Sequence, residues 1–178
     1  FQQPIGKVVA VLGEAMAAGM EVDIAIENHN IPAVFPEAVR EQCEKIPDAL
    51  RDQDYEGRLD LRHLPFVTID GISARDFDDA VYAEKRGENY RLYVAIADVA
   101  HYVRPDSPLD IEAYNRGTSV YFPDRVIPML PEKLSNGLCS LNPHVDRLAM
   151  VCEITLAPDG SIKRSAFHDA VIHSHARL

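Results

Sequence analysis

A chain of 178 residues that is 47% hydrophobic and 26% charged carries enough apolar material for one core-forming domain and part of another, which excludes a disordered polymer. Its 28 acidic and 18 basic side chains give a formal charge of −10, which argues against nucleic-acid attraction by average charge alone, though basic surfaces can lie elsewhere in a longer protein. No apolar run reaches the roughly 18 residues of a membrane span, and no basic-then-apolar leader opens the chain.

Three widely spaced cysteines, Cys43, Cys139 and Cys152, form no CxxC pair. They are expected to be buried thiols in a reducing, cytoplasmic compartment rather than disulfides or a structural zinc site. Opening on Phe1 rather than Met, the chain is expected to be an internal piece of a longer protein.

In chain order, IGKVVAVL (5–12) alternates as a strand closed by Gly13. GMEVDIAIENHN places Met20 and Ile24, and on a neighbouring face Val22 and Ile26, at helical spacing up to Pro32. PEAVREQCEKI (Pro36 to Ile46) opens on proline, repeats apolar Val39, Cys43 and Ile46, and stops at Pro47, which predicts a second helix. The polar DALRDQDYEGR reads as a connector.

From Leu64 the pattern changes to strands. LPFVTI is one; AVYAEK and NYRLYVAIAD flank RGEN as a hairpin; TSVYF is a further strand. SPLDIEAYNRG is a short helix with Ser107 as N-cap, Pro108 next and Gly117 at its end. LPEKLSNG reads as a helical turn or two closed by Gly137, and RLAMVCEITL, APDG and SIKRSAFHDAVI as a second hairpin. The predicted fold class is α+β, a mixed sheet with helices entered through a helical linker.

The chemistry concentrates in TIDGISARDFDDA, where Asp70, Asp76, Asp78 and Asp79 follow a D-x5-D-x-D-D pattern between two apolar strands. Carboxylates crowded together stay ionised only if a cation offsets their repulsion. A hard divalent ion with oxygen ligands does so, and Mg²⁺ combines a few carboxylates with waters and phosphate oxygens. Gly71 and the small residues at 73 and 74 would let the loop turn back. On extended backbone Asp76 and Asp78 share a face and Asp79 points elsewhere. An EF-hand loop starting at Asp76 fails, because Val81 stands where glycine belongs and Gly87 where glutamate belongs. Aspartates that cap turns and pair with Arg75 remain an open structural alternative.

TIDGISARDFDDAV, YVAIADVAHYV, NRGTSVYFP, VIPMLPEKLSNGLCSLNP and HARL together resemble the ribonuclease R and ribonuclease II family of bacterial exoribonucleases, the ribonuclease R branch more closely. The resemblance covers 58–178 as the N-terminal part of the catalytic RNB domain. It makes 1–14 the end of a cold-shock barrel of OB type and 15–57 a helical linker. It implies a hydrolytic exoribonuclease that needs Mg²⁺, with Mn²⁺ as a possible substitute. Such an enzyme shortens single-stranded RNA from its 3′ end and releases nucleoside 5′-monophosphates. Asp70, Asp76, Asp78 and Asp79 match the family's catalytic, metal-holding aspartates, with Asp70 and Asp79 the surest ligands. Tyr121 matches the tyrosine that packs on the last nucleotide. The family's downstream arginine and glutamate, its second stacking aromatic and its basic RNA-binding domains have no counterpart here, so the chain alone is expected to be inactive.

Weaker candidates are Asp98, near the metals or initiating a turn, and Arg116, on phosphate or at a helix end. His173 and His175 share a strand face, and His101 shows no partner pattern. Met16, Met20, Met129 and Met150 read as filler. Two rival functions are a silent RNA-binding scaffold and an acidic metal-binding adaptor.

Overall fold

The computed structural model describes residues 6–8, 10–14, 17–72 and 74–178. The strand expected at 5–12 lies partly outside them, and 6–8 and 10–12 carry no strand. A strand exists through its ladder; Val8 and Val11 are 79% and 84% exposed and pair with nothing among the described residues. Met16 lies outside the described residues.

Helices α1 (Met20–Asn28) and α2 (Glu37–Lys45) form where the apolar spacing places them. Val39 and Cys43 are the buried face of α2, which packs on α3 (Pro108–Arg116). Ser107 Oγ caps α3 by accepting the Asp110 N–H, and Gly117 closes it at φ 72°, a conformation that costs glycine little. The Gln42 side chain accepts the Leu109 N–H at 3.0 Å, which supplies a partner for a donor the helix cannot satisfy itself. Val39 and Leu109 join Leu134, Leu138 and Cys139 in a small core. Leu134 and Leu138 come from a π-helical turn, Lys133–Leu138, where a helical turn was expected.

The polar connector is docked rather than free. In the 3₁₀ turn Asp52–Tyr55, buried Asp54 accepts the Arg51 N–H at 2.8 Å and its guanidinium at 3.0 and 3.2 Å, and lies 3.3 Å from His101 Nε2. Arg58 pairs with Asp98 at 2.6 Å. Tyr55 donates its hydroxyl to Asp146, which also meets Arg62 and His173 at 2.9 Å each.

The sheet follows from two hairpins. Strands β1 (Leu59–Asp60) and β2 (Val67–Thr68) are short; β3 (Asp79–Arg86) and β4 (Asn89–Ala97) turn through Gly87 at φ 61°. After the small hairpin β5 (Val120–Tyr121) and β6 (Val126–Ile127) come β7 (Asp146–Leu156), β8 (Ile162–His173) and β9 (Ala176–Arg177). Seven strands run in the order β1-β8-β7-β4-β3-β2-β9, with parallel pairs at both edges and antiparallel pairs between.

Alternate residues face opposite sides of the sheet. Ala80, Tyr93, Ala95, Ala149, Val151 and Ile172 bury one face against Leu61, Phe66, Phe77 and Leu141. Phe66 is fully buried, 6.2 and 6.3 Å from the rings of Tyr82 and Tyr93. The opposite face leaves Ile96, Met150 and Phe167 exposed.

Asp54 and Asp146 both titrate below the ordinary carboxylate value. Hydrogen bonds from the Arg51 side chain hold Asp54 down against its burial. Burial pushes Asp146 up, and hydrogen bonds from His173, Arg62 and Tyr55 more than offset it. A depressed folded pKa contributes stability above the unfolded value and loses it as pH falls through the folded one. The gap in melting midpoint between wild type and Asp146→Asn is therefore expected to close as pH drops below about 4. A gap unchanged down to about pH 2 would remove the Asp146 carboxylate from the connector's docking.

Candidate active site

The aspartates converge because of strand pairing. Val67 of β2 pairs antiparallel with Val81 of β3, so the strand that leads to Asp70 lies beside the strand that follows Asp78. The Ala97 N–H donates to the Asp78 carbonyl at 2.9 Å, which carries the β4 ladder up to the cluster. The loop between them turns through an Ala74 N–H to Gly71 C=O bond of 2.9 Å. Gly71 has no positive φ and a side chain there would meet open space, so the glycine is not what allows the turn.

Fully buried Ser140 accepts the Phe77 N–H at 3.0 Å and donates to the Arg75 carbonyl at 2.9 Å, on either side of Asp76. The Leu141 N–H donates to the Phe77 carbonyl at 2.8 Å. Asp76 is thereby carried on fixed backbone.

Asp70, Asp76 and Asp78 line a cleft of about 790 Å³ with Tyr121 and Phe122, with Asn136 from the π-helical turn and with Glu132 just before it. Tyr121 donates its hydroxyl to Asp76 Oδ2 at 2.7 Å while the residue stays 64% exposed, so the ring is presented to the cleft rather than packed in the core. That hydrogen bond, then desolvation and the negative charge of Asp76 and Asp78, push the Tyr121 phenol up to about 12. Asp78 also titrates above the usual carboxylate range. Partial desolvation comes first, followed by the charges of Asp76, Asp79 and Asp70. The charges of the other three carboxylates thus all reach Asp78.

Asp79 is the one of the four that does not line the cleft. It opens β3 exposed, on the side opposite buried Ala80. The pairing of aspartates with Arg75 is not found: Arg75 lines the cleft and its side chain has no hydrogen bond or ion pair among the described residues.

Among the described residues no three His, Cys, Asp or Glu side chains form a group that could hold a metal ion by themselves. The donor set still fits Mg²⁺, which binds through one or two carboxylates and completes its shell with waters and substrate phosphates rather than a protein cage. The Asp78 carboxyl is raised by desolvation first and by its neighbours' charge second, and a divalent ion would offset that charge.

The weaker candidates take structural places. Asp98 caps the 3₁₀ turn Val99–His101 by accepting the His101 N–H at 3.2 Å and pairs with Arg58. The Arg116 side chain is buried, bonded to Glu112 and the Pro128 carbonyl at 2.9 Å each, and lies 3.7 Å from the Phe35 ring centroid. His173 turns to Asp146, edge-on to His175 with ring centroids 6.3 Å apart. His101, which showed no partner pattern, joins Asp54 and Arg58. Cys43 and Cys139 are buried and Cys152 half-buried, all as free thiols; burial pushes Cys139 up to about 12. Glu132, Asn136 and Arg125 line the cleft without having been singled out, since no spacing of theirs suggests chemistry.

The RNB domain model matches residues 58–178, a span that includes the four aspartates and Tyr121. The chain belongs to the RNB domain family. A cold-shock domain model matches residues 1–36, which takes in α1. This RNB chain is 61% identical over 175 residues to ribonuclease R of Escherichia coli (strain K12), covering 98% of the chain and 22% of that protein. It matches the structure of Mycoplasma genitalium RNase R in complex with double-stranded RNA at 38% identity and a TM-score of 0.87, covering 94% of this chain and 30% of that one. Against the same protein in complex with ribose-methylated single-stranded RNA the TM-score is 0.85, at 38% identity and coverages of 94% and 26%. The RNB chain thus spans about a fifth to a third of these relatives' lengths.

Proposed function

We propose that the intact protein carrying this chain is a Mg²⁺-dependent exoribonuclease, with Mn²⁺ as a substitute, that hydrolyses single-stranded RNA from its 3′ end. The products would be nucleoside 5′-monophosphates. The observation that carries the reading is the Tyr121 ring standing in the aspartate cleft, hydrogen-bonded to Asp76. Asp70, Asp76 and Asp78, with Asp79 beside them, would hold the ions. A bound divalent ion neutralises the phosphate and makes water a nucleophile at neutral pH. Tyr121 would stack on the terminal base, a contact every base can make, which suits an enzyme that degrades without sequence preference.

The chain's own share of the site is acidic. Asp70, Asp76, Asp78, Asp124 and Glu132 line the cleft against two guanidiniums, and Arg125 is already paired with Asp23 at 2.6 Å. Stabilising a transition state of growing negative charge needs donors beyond these, so the 178-residue chain alone would turn over little RNA. The free thiols agree with a cytoplasmic setting. No helix of the described residues is long and apolar enough to cross a membrane.

Digestion of a short oligo(A) by the intact protein, with products resolved by length and terminal phosphate, tests the reading. Mn²⁺ titration with and without that oligonucleotide separates the enzyme from an acidic adaptor, whose metal affinity would ignore the RNA. Tyr121→Ala is expected to weaken 3′-end binding by about 1–3 kcal/mol and to change the length of the final undigested oligonucleotide. Tyr121→Phe keeps the ring and is expected to keep that length. An unchanged ladder with alanine would leave Tyr121 only its bond to Asp76.

A further inference from the structure

The aspartate loop has an exposed flank next to the cleft, where a second cavity shares Ala74, Arg75, Glu132 and Asn136 with it. Ile72 is 97% exposed, and this cavity of about 570 Å³ lies along Ile72, Ala74, Arg75 and Phe77. One side chain from the far end of the chain crosses this gap. The Arg177 guanidinium donates to the Gly71 carbonyl and lies 5.2 Å from the Phe77 ring centroid. Its position is set by β9, where Arg177 pairs with Thr68 and the Leu178 N–H donates to the Thr68 carbonyl at 2.8 Å. Arg177 therefore links the residue after Asp70 to the residue between Asp76 and Asp78. Ser140 fastens only the Asp76 end.

We propose that Arg177 is a positioning residue that holds the loop 70–78 in the shape that accepts a divalent ion. This rests on the metal reading above. Few-ligand sites depend on groups behind the ligands to orient them, since each missing ligand is replaced by water or substrate. An unclamped Gly71 would let Asp70 drift from Asp78, and the cost would fall on the metal rather than on the RNA.

The test uses the intact protein with Arg177→Met, which keeps the stem and removes the charge, and Arg177→Lys, which keeps a donor. In metal-free protein, amide hydrogen exchange over residues 70–78 is expected to rise at least about fivefold in the methionine variant and less in the lysine variant, with β4 and β7 unchanged. Mn²⁺ affinity is expected to fall by about tenfold, and the Mg²⁺ concentration for half-maximal activity to rise by a similar factor, while KM for RNA stays within about twofold. Should the methionine variant exchange faster throughout, the lysine variant carries the comparison and must fall between wild type and no binding. Unchanged loop exchange, unchanged Mn²⁺ affinity, or a loss confined to RNA affinity overturns the proposal. A wild-type protein that takes up no Mn²⁺ overturns the metal reading, and this proposal with it, before any substitution is compared.

Discussion

Replacing Asp78 by asparagine in the intact protein is expected to lower RNA hydrolysis by at least about 10²-fold, on the order of removing one preorganised group at a developing charge. Asn has the same shape, so the loop bonds through Arg75, Phe77 and Leu141 should survive. What is lost is one negative charge at a site where desolvation, and then the charges of Asp76, Asp79 and Asp70, push the Asp78 carboxyl up. The same charge faces the phosphates of any RNA in the cleft, and such repulsion in a partly solvated site is worth roughly 1 kcal/mol. RNA binding by Asp78→Asn, measured without divalent ions, should therefore stay the same or tighten. Normal turnover in this variant would take Asp78 out of the catalytic set.

Asp98→Ala is expected to act in the opposite way, costing about 3–5 kcal/mol of stability while leaving turnover per folded molecule intact. The Arg58 and Asp98 side chains are only 12% and 14% exposed, and Arg58 Nη1 already has no partner. Removing the carboxylate strands a nearly buried charge and uncaps the turn at Val99. Urea denaturation at neutral pH should show a lower midpoint at unchanged slope. Replacing both partners together, Arg58→Met with Asp98→Leu, should recover much of the loss, because an apolar pair of similar volume needs no desolvation of charge. A loss below about 1 kcal/mol accompanied by lost hydrolysis would move Asp98 into the metal site instead.

These two aspartates show how far the sequence could be read. The long hairpins β3–β4 and β7–β8 were legible because alternation and turn residues are local signals, and α2 and α3 because proline, serine and glycine mark their ends. The two-residue strands β1 and β9 were not, because they exist only by parallel pairing with partners more than a hundred residues away in sequence. The docking of Asp54 on His101 was equally hidden, since burial of a polar connector is decided by what lies opposite it. Around the site, the density of carboxylates suggested metal chemistry, and the resemblance supplied the roles expected of them. Their shared cleft came from the pairing of β2 with β3 and the Ser140 bonds beside Asp76, which no spacing rule contains. Strand alternation explains why Asp79 departs from its three neighbours: once β3 starts there, the pleat turns it away from the cleft.

A structure of the intact protein soaked with Mn²⁺ and a short oligo(A) tests the central claim most directly. The account predicts an anomalous peak at about 2.1 Å from carboxylate oxygens of Asp70 and Asp78, shared with a phosphate of the RNA 3′ end whose last base lies on Tyr121. A cleft with RNA bound and no peak, its carboxylates turned apart into solvent, would contradict it.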